Sequence, residues 1–160
     1  MFRRLLFARQ EIKGPGVELR LRERLGIDRD GGIRESVTYD ILPPGGRHAA
    51  GYVSLRLGES PELYYLGHIG YRVEEAFRGH GYAAKAVAAL CPVMHSLGLH
   101  TVVITTDVDN VPSRRTCERL GCELERIVPV PQRYRNLCMD SPAKCRYILS
   151  VDGPAPGGFW

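Results

Sequence analysis

Two glycines separated by one residue stand between a predicted strand and a predicted helix, and this feature constrains the fold more than any other. Arg78-Gly79-His80-Gly81 follows an apolar run at residues 68–73 and precedes a long helical pattern at residues 83–97. Glycine lets the backbone approach a ligand closely, and the first N–H groups of a helix have no partner within the helix. These groups, the helix dipole and Arg78 together favour binding of a phosphate.

The turn alone does not identify a ligand, because any α/β protein can use Gly-x-Gly to connect a strand to a helix. The spacing Gly79-x-Gly81-x-x-Ala84 also fits a relaxed dinucleotide-binding pattern. That pattern belongs to a β-α-β unit within two nucleotide-binding halves, and only one such unit is predicted here. No Gly-Lys-Ser or Gly-Lys-Thr follows the turn, which excludes a P-loop.

The two halves of the chain differ in their predicted organisation. In the first half, short apolar runs separated by Gly and Pro predict a largely antiparallel sheet, with strands at residues 2–8, 17–22, 36–42 and 52–57. Residues 17–25 fit a helix equally well. In the second half, helices at residues 83–97 and 113–120 alternate with strands at residues 68–73, 101–106, 122–128 and 144–151. This alternation predicts an α/β arrangement with a partly parallel sheet.

Length and composition predict one ordinary domain. The chain has 160 residues, of which 44% are hydrophobic and 25% charged, values typical of globular proteins. We expect residues 1–151 to form the domain and residues 152–160, rich in Pro and Gly, to be a mobile tail. Five cysteines without a C-x-x-C pair predict a reducing, cytoplasmic location. No run approaches the roughly 20 apolar residues of a membrane span.

Several motifs, taken in order, carry a resemblance to a known family. They are Gly67-His68-Ile69-Gly70-Tyr71-Arg72-Val73, Arg78-Gly79-His80-Gly81-Tyr82-Ala83, Asp109-Asn110-Val111-Pro112-Ser113-Arg114-Arg115, Cys117-Glu118-Arg119-Leu120-Gly121 and Cys145-Arg146-Tyr147. Residues 51–151, which contain them, resemble the GNAT superfamily of N-acetyltransferases. The resemblance implies an α/β (mixed α+β) fold whose central mixed sheet is splayed between the fourth and fifth strands, with helices on both faces.

The resemblance also implies a binding site for acetyl-CoA as the acyl donor, with no metal. The pantetheine arm is expected to pair with the backbone at Tyr71, Arg72 and Val73, and Asn110 and Ser113 are expected to contact it from the other side. The pyrophosphate is expected on the backbone amides of Arg78, Gly79, His80, Gly81, Tyr82 and Ala83. A net charge of +4 is compatible with such a phosphorylated ligand. Arg114 and Arg115 either reach its phosphates or form a solvated helix face.

The implied reaction is direct attack of a primary amine on the thioester in a ternary complex, which requires a base and an acid. His68 is the candidate base, since an imidazole suits proton removal near neutral pH; the alternative is a histidine hydrogen-bonded within the sheet. Cys117 stands where relatives often have the tyrosine that protonates the departing thiolate. It is either that acid or a small core residue. A second departure is Ala76, where the family usually has Gln or Arg.

The acceptor is left open by the sequence. Tyr134, Arg135, Arg146 and Tyr147 are candidates for its side of the cleft, but none identifies a substrate, which can be a small amine, an antibiotic amine or a peptide N-terminus. Two other functions remain possible from the sequence. One is a catalytically silent acyl-CoA-binding regulatory domain. The other is an RNA-directed module, which is supported only by the basic pI of about 8.9. We expect no nucleic-acid partner and no membrane, and we leave a homodimer open.

Overall fold

The computed structural model describes residues 9–153, so the predicted strand at residues 2–8 and most of the predicted tail lie outside the described residues. Over these described residues, one open sheet of eight strands has the order β1-β2-β3-β4-β5-β6-β8-β7. The strands are β1 Glu11–Gly14, β2 Val17–Leu25, β3 Glu35–Leu42, β4 Gly51–Leu57, β5 Ile69–Val73, β6 Thr101–Asp107, β7 Glu123–Pro129 and β8 Ala143–Ser150. Neighbouring strands are antiparallel except β5 and β6, which are parallel.

The parallel pair β5 and β6 forms the splay expected from the sequence. The two strands share one register pair, Ile69 with Ile104, and His68 N donates to Val103 O at 2.8 Å just before it. Beyond that pair, toward their carboxyl ends, the strands are not paired with each other, which opens a cleft in the sheet. The mixed, open and splayed sheet confirms the predicted fold class, although the splayed strands are the fifth and sixth of residues 9–153 rather than the fourth and fifth.

In the described part of the chain, three α-helices cover the sheet: α1 Pro61–Leu66, α2 Tyr82–Ser96 and α3 Val111–Arg119. Helix α2 is apolar over most of its surface and packs against the first half of the sheet, where a Cβ added to Gly14 would lie only 2.7 Å from Ala89 Cβ. Helix α3 packs on the same side, since its Cys117 joins the core that contains Cys145. Helix α1 lies on the other face, because Arg146, which alternates with Cys145, donates to Tyr64 O.

Strand β1 and helix α1 were missing from the sequence-based interpretation, and the alternative it left open at residues 17–25 is decided in favour of the strand. Residues 17–25 form a strand rather than a helix, because pairing with β3 satisfies the backbone and buries Val17 and Leu19. Helix α1 was not predicted, although Ser60 accepts from Leu63 N at 3.1 Å as its N-cap and Pro61 follows. Six residues are too few for helical periodicity to be visible. Within residues 9–153, no helix is long and apolar enough to cross a membrane.

Candidate functional site

A cavity of about 530 Å³ occupies the open end of the splay, between β5 and α3. Strand β5, the glycine turn before α2, and α3 supply its walls. Its lining residues are Tyr71, Arg72, Val73, Phe77, Arg78, Gly79, Gly81, Tyr82, Ala83, Asn110, Pro112, Ser113, Arg115, Thr116 and Arg119. The cavity therefore joins the two sequence motifs that lie about 30 residues apart in the chain.

The glycine turn adopts a backbone conformation that requires glycine. Gly79 has φ +88° and Gly81 has φ +71°, both in the left-handed region. Gly81 is the N-cap of α2 and provides no side chain to satisfy the first turn. The N–H groups of residues 82–84 therefore remain without intrahelical partners. A Cβ at Gly81 would lie 3.4 Å from the Arg119 guanidinium, so a side chain there would enter this end of the cavity.

The cavity is strongly cationic. Arg78, Arg115 and Arg119 line it, and within residues 9–153 no carboxylate side chain does. Arg72 also borders it, but its side chain alternates with that of Tyr71 along β5 and leaves on the other face of the sheet, where its Nε lies 4.0 Å from Glu74 Oε1. Arg115 and Arg119 lie one turn apart on α3, so both reach the same wall. Arg78 is held at the rim, where its Nε donates to Val73 O at 3.3 Å. Free helix amides and guanidinium groups around one opening are suited to binding phosphate.

Tyr71 connects the two walls of the cavity. From β5 its hydroxyl reaches α3, where it lies 2.8 Å from Ser113 Oγ and 3.3 Å from Ser113 O. Asn110 fixes this part of α3, because its side chain caps the helix by accepting from Ser113 N at 3.2 Å. Burial raises the pKa of the Tyr71 phenol well above its ordinary value, so the hydroxyl keeps its proton at neutral pH.

Cys117 is buried behind Tyr71 and does not line the cavity. Its Sγ lies 4.0 Å from the Tyr71 hydroxyl. A hydrogen bond with Cys122 and burial raise the pKa of the Cys117 thiol, and the same bond lowers the pKa of Cys122. The thiol of Cys117 is thus a protonated core group. Its role as a proton donor stays a prediction, and it would have to act through Tyr71.

His68 is held in the sheet at the apex of the splay rather than in the cationic cavity. Its Nδ1 accepts a hydrogen bond from Val103 N at 3.0 Å. His68 also borders a second cavity, of about 540 Å³, and its Nε2 lies 4.0 Å from Glu59 Oε1. Burial lowers the pKa of the imidazole, so the neutral form is favoured. The structure does not bring His68 and Cys117 into one cavity.

The position of His68 predicts a pH-dependent stability. Because folding lowers the pKa of His68, the unfolded chain binds a proton at a pH where the folded chain does not. The free energy of unfolding should fall as the pH drops below about 6.5, the ordinary histidine value, and continue to fall down to the lowered folded pKa. His68→Gln, which keeps a hydrogen-bond acceptor, should flatten this dependence in urea unfolding measured across the pH range.

A matched control for this experiment is His48→Gln, since His48 is an exposed histidine in a loop. This variant should follow the wild-type pH dependence. Equal slopes for wild type and His68→Gln would contradict the assignment of a buried, neutral imidazole at this position.

Of the residues predicted to bind the cofactor, all except His80 line the cavity; His80 is exposed and its ring lies 5.4 Å from that of Tyr82. Four lining residues were not predicted: Phe77, Pro112, Thr116 and Arg119. The last three could have been found from the sequence, because Pro112, Arg115, Thr116 and Arg119 follow the i, i+3, i+4, i+7 spacing of one helix face.

The other candidates separate in the structure. Arg114 turns away from the cavity and donates to Tyr147 Oη at 3.0 Å and to Val108 O at 3.1 Å. Arg146 points to the opposite face, where it is buried against the ring of Tyr64 and lies 3.3 Å from Glu125. Tyr147 and Arg146 therefore cannot line the same side of the sheet.

A sheet that splays between two parallel strands, with a cationic cavity and a glycine turn at the splay, is the architecture of a GNAT-type domain. The chain belongs to the GNAT acetyltransferase family, because the family model described as Acetyltransferase (GNAT) domain matches residues 20–123. No curated protein sequence is a significant match.

Solved structures of similar fold include three named acetyltransferases. RimL, a ribosomal L7/L12 alpha-N-protein acetyltransferase, has a TM-score of 0.60 at 18% identity, over 88% of this chain and 93% of its own. The microcin C7 self-immunity acetyltransferase MccE, solved with acetyl-CoA and AMP, has a TM-score of 0.57 at 23% identity, over 72% of this chain. The ribosomal-protein-S5-alanine acetyltransferase of Vibrio fischeri has a TM-score of 0.58 at 18% identity, over 76% of this chain. The chain spans only 61% of MccE and 64% of the Vibrio fischeri protein.

Proposed function

We propose that the protein is an acetyl-CoA-dependent N-acetyltransferase that transfers the acetyl group to a primary amine by direct attack in a ternary complex. The observation that carries this proposal is the cationic cavity at the splayed strands, in which the free amides of α2 and the side chains of Arg78, Arg115 and Arg119 face one opening, with no carboxylate side chain among the described lining residues. Membership of the GNAT family supports the same activity.

The cavity offers partners for the phosphates and for the pantetheine arm of acetyl-CoA. The amides of the glycine turn, together with Arg115 and Arg119, are suited to the phosphates. The unpaired backbone edge of β5 at residues 71–73 offers donors and acceptors to the amides of the pantetheine arm. The arm would then run along β5 toward the apex of the splay, which directs the thioester to the point where the sheet opens to its other face. Bound acetyl-CoA supplies the activated acetyl group.

Proton removal from the acceptor amine stays a prediction for His68. Its neutral imidazole has the protonation state that a base requires. Its Nδ1 lone pair, however, is engaged by Val103 N–H, and a neutral ring with Nδ1 as acceptor carries its own proton on Nε2. The ring could therefore take a proton only at Nδ1, after the bond to Val103 is exchanged. Glu59, whose side chain is 96% exposed, lies beside Nε2 and could pass the proton to solvent.

The proposed acceptor is a primary amine on a small molecule or a peptide. Peptide N-termini form the first class to examine, because RimL, which acts on a protein α-amine by its printed name, matches over most of both chains. A cytoplasmic location is proposed with it, since all five cysteines are free thiols.

Release of CoA thiol in the presence of acetyl-CoA and a panel of amines tests the function. The panel contains small polyamines, aminoglycosides and peptides with different N-terminal residues. We expect steady thiol release and a product heavier by one acetyl group with at least one amine class. Acetyl-CoA binding with no transfer to any amine would instead support a silent acyl-CoA-binding domain.

A further inference from the structure

Helix α3 ends in a turn that brings two cysteines together. Gly121, with φ +75°, adopts the left-handed conformation just after the helix. Its N–H donates to Glu118 O at 3.0 Å, and the N–H of Cys122 donates to Cys117 O at 3.0 Å. These two bonds define a Schellman motif, in which the side chains at the two ends of the turn commonly contact each other. In this protein both of those side chains are thiols.

The geometry of this turn is suited to a disulfide. The direct backbone hydrogen bond between Cys122 and Cys117 keeps their Cα atoms within about 4.4–6.8 Å, the separation that disulfides span. The two thiols are also hydrogen-bonded to each other. Cys117 has 0% of its surface exposed, whereas Cys122 is half-buried. One sulfur is therefore reachable from solvent, and the second lies directly behind it.

We propose that Cys117 and Cys122 form a modification site, at which reaction with a peroxide produces a reversible disulfide. Cys122 is the thiol that the peroxide meets first, because it is the more exposed of the two. Cys117 is the thiol that completes the disulfide. Neither is among the residues that line the cationic cavity, so this inference goes beyond the proposed acetyl transfer and does not depend on it.

The reaction takes place in two steps. The hydrogen bond with Cys117 lowers the pKa of Cys122, which increases its thiolate fraction at neutral pH. The Cys122 sulfur bonds to one peroxide oxygen, the O–O bond breaks, and the hydroxide that leaves takes up the proton lost by the thiol, giving water and a sulfenic acid. The Cys117 sulfur then bonds to the Cys122 sulfur, the S–O bond breaks, and the Cys117 proton leaves in a second water. The two thiols lose two electrons and two protons, and the peroxide is reduced to two waters.

Two further thiols in the same core are the competing partners. Cys91 on α2 is close enough to Cys122 to interact with its charge, and Cys145 on β8 interacts in the same way with Cys117. Both are buried, with 2% and 0% of their surface exposed, so a peroxide reaches Cys122 before either of them. Cys91 Sγ also donates to Val87 O at 3.5 Å within its own helix. The turn after α3 therefore favours the link to Cys117.

Counting thiols after peroxide treatment tests the site. The folded wild-type protein is treated with hydrogen peroxide under conditions that oxidise glutathione, then unfolded, and its remaining thiols are alkylated. We expect three alkylated cysteines instead of the five in the chain, and an intact mass lower by about 2 Da before alkylation, because two hydrogens are lost. Trypsin cleaves after Arg119, between the two cysteines, so the unreduced digest should contain residues 116–119 linked to residues 120–126. Dithiothreitol should restore all five thiols.

Three variants separate this site from general oxidation. Cys122→Ser, at a half-buried position that should tolerate the change, removes the nucleophile and should slow thiol loss by about tenfold or more. Cys117→Ser should stop the reaction at a sulfenic acid on Cys122, which dimedone traps. The matched control is Cys91→Ala, which removes the neighbouring buried thiol and should still give the same linked peptides. Five alkylated thiols in peroxide-treated wild type, a link between Cys91 and Cys122, or a disulfide between two chains overturns the proposal.

Discussion

Replacing Gly81 with valine should abolish the rise in Tm that acetyl-CoA produces in the wild-type protein. A ligand that binds only the folded state raises Tm by mass action, so loss of binding removes the rise. Gly81 has φ +71°, which a β-branched residue adopts only at a cost of about 1–3 kcal/mol. Its added atoms would also stand between the free amides of α2 and the phosphate, on the side facing Arg119.

Gly98→Val is the matched control for this substitution. Gly98 follows α2 at its other end, has φ +86°, and has no atom within 4 Å of an added Cβ. It carries the same backbone strain away from the cavity, so its Tm should be lower but should still rise with acetyl-CoA. NAD should raise the Tm of neither variant nor of wild type. An unchanged acetyl-CoA affinity in folded Gly81→Val would show that the turn does not bind the phosphates.

Removing both arginines from the cavity wall of α3 should weaken acetyl-CoA binding by about a hundredfold or more. Arg115 and Arg119 both line the cavity, and each charge-assisted hydrogen bond to a phosphate contributes about 1.5–3 kcal/mol. The double variant Arg115→Ala/Arg119→Ala should fold, because both side chains are on the solvent side of the helix. The dissociation constant can be measured by calorimetry at two salt concentrations.

The neighbouring arginine provides the control. Arg114 lies on the same helix but bonds to Tyr147 and the Val108 carbonyl instead of facing the cavity. Arg114→Ala should therefore leave acetyl-CoA affinity within a few-fold of wild type. Salt should weaken binding to wild type more than to the double variant, because screening acts on the charges that the variant lacks. Equal losses of affinity in the double variant and Arg114→Ala would indicate a general charge effect rather than two direct contacts.

The fold class and the lining of the cavity at the glycine turn could be predicted from the sequence. Gly79 and Gly81 mark a backbone conformation that few other residues adopt, and the apolar helix after them fixes which end of α2 faces the opening. The Asn110-x-x-Ser113 spacing marks a helix start by local capping chemistry. These signals depend only on residues that are close together in the sequence, so they can be recognised without the structure.

The contacts that Tyr71, Cys117 and His68 make near the apex of the splay were decided only by the tertiary structure. Tyr71 and Cys117 are 46 residues apart, and nothing in either segment shows that the two side chains meet, with the Tyr71 hydroxyl 4.0 Å from Cys117 Sγ. Likewise, the sequence predicts that His68 is an accessible base. Parallel pairing of β5 with β6 instead places its Nδ1 where it accepts a hydrogen bond from Val103 N–H. Both outcomes depend on which strands become neighbours and which way each side chain points. Long-range packing sets these relations, and local sequence does not encode them.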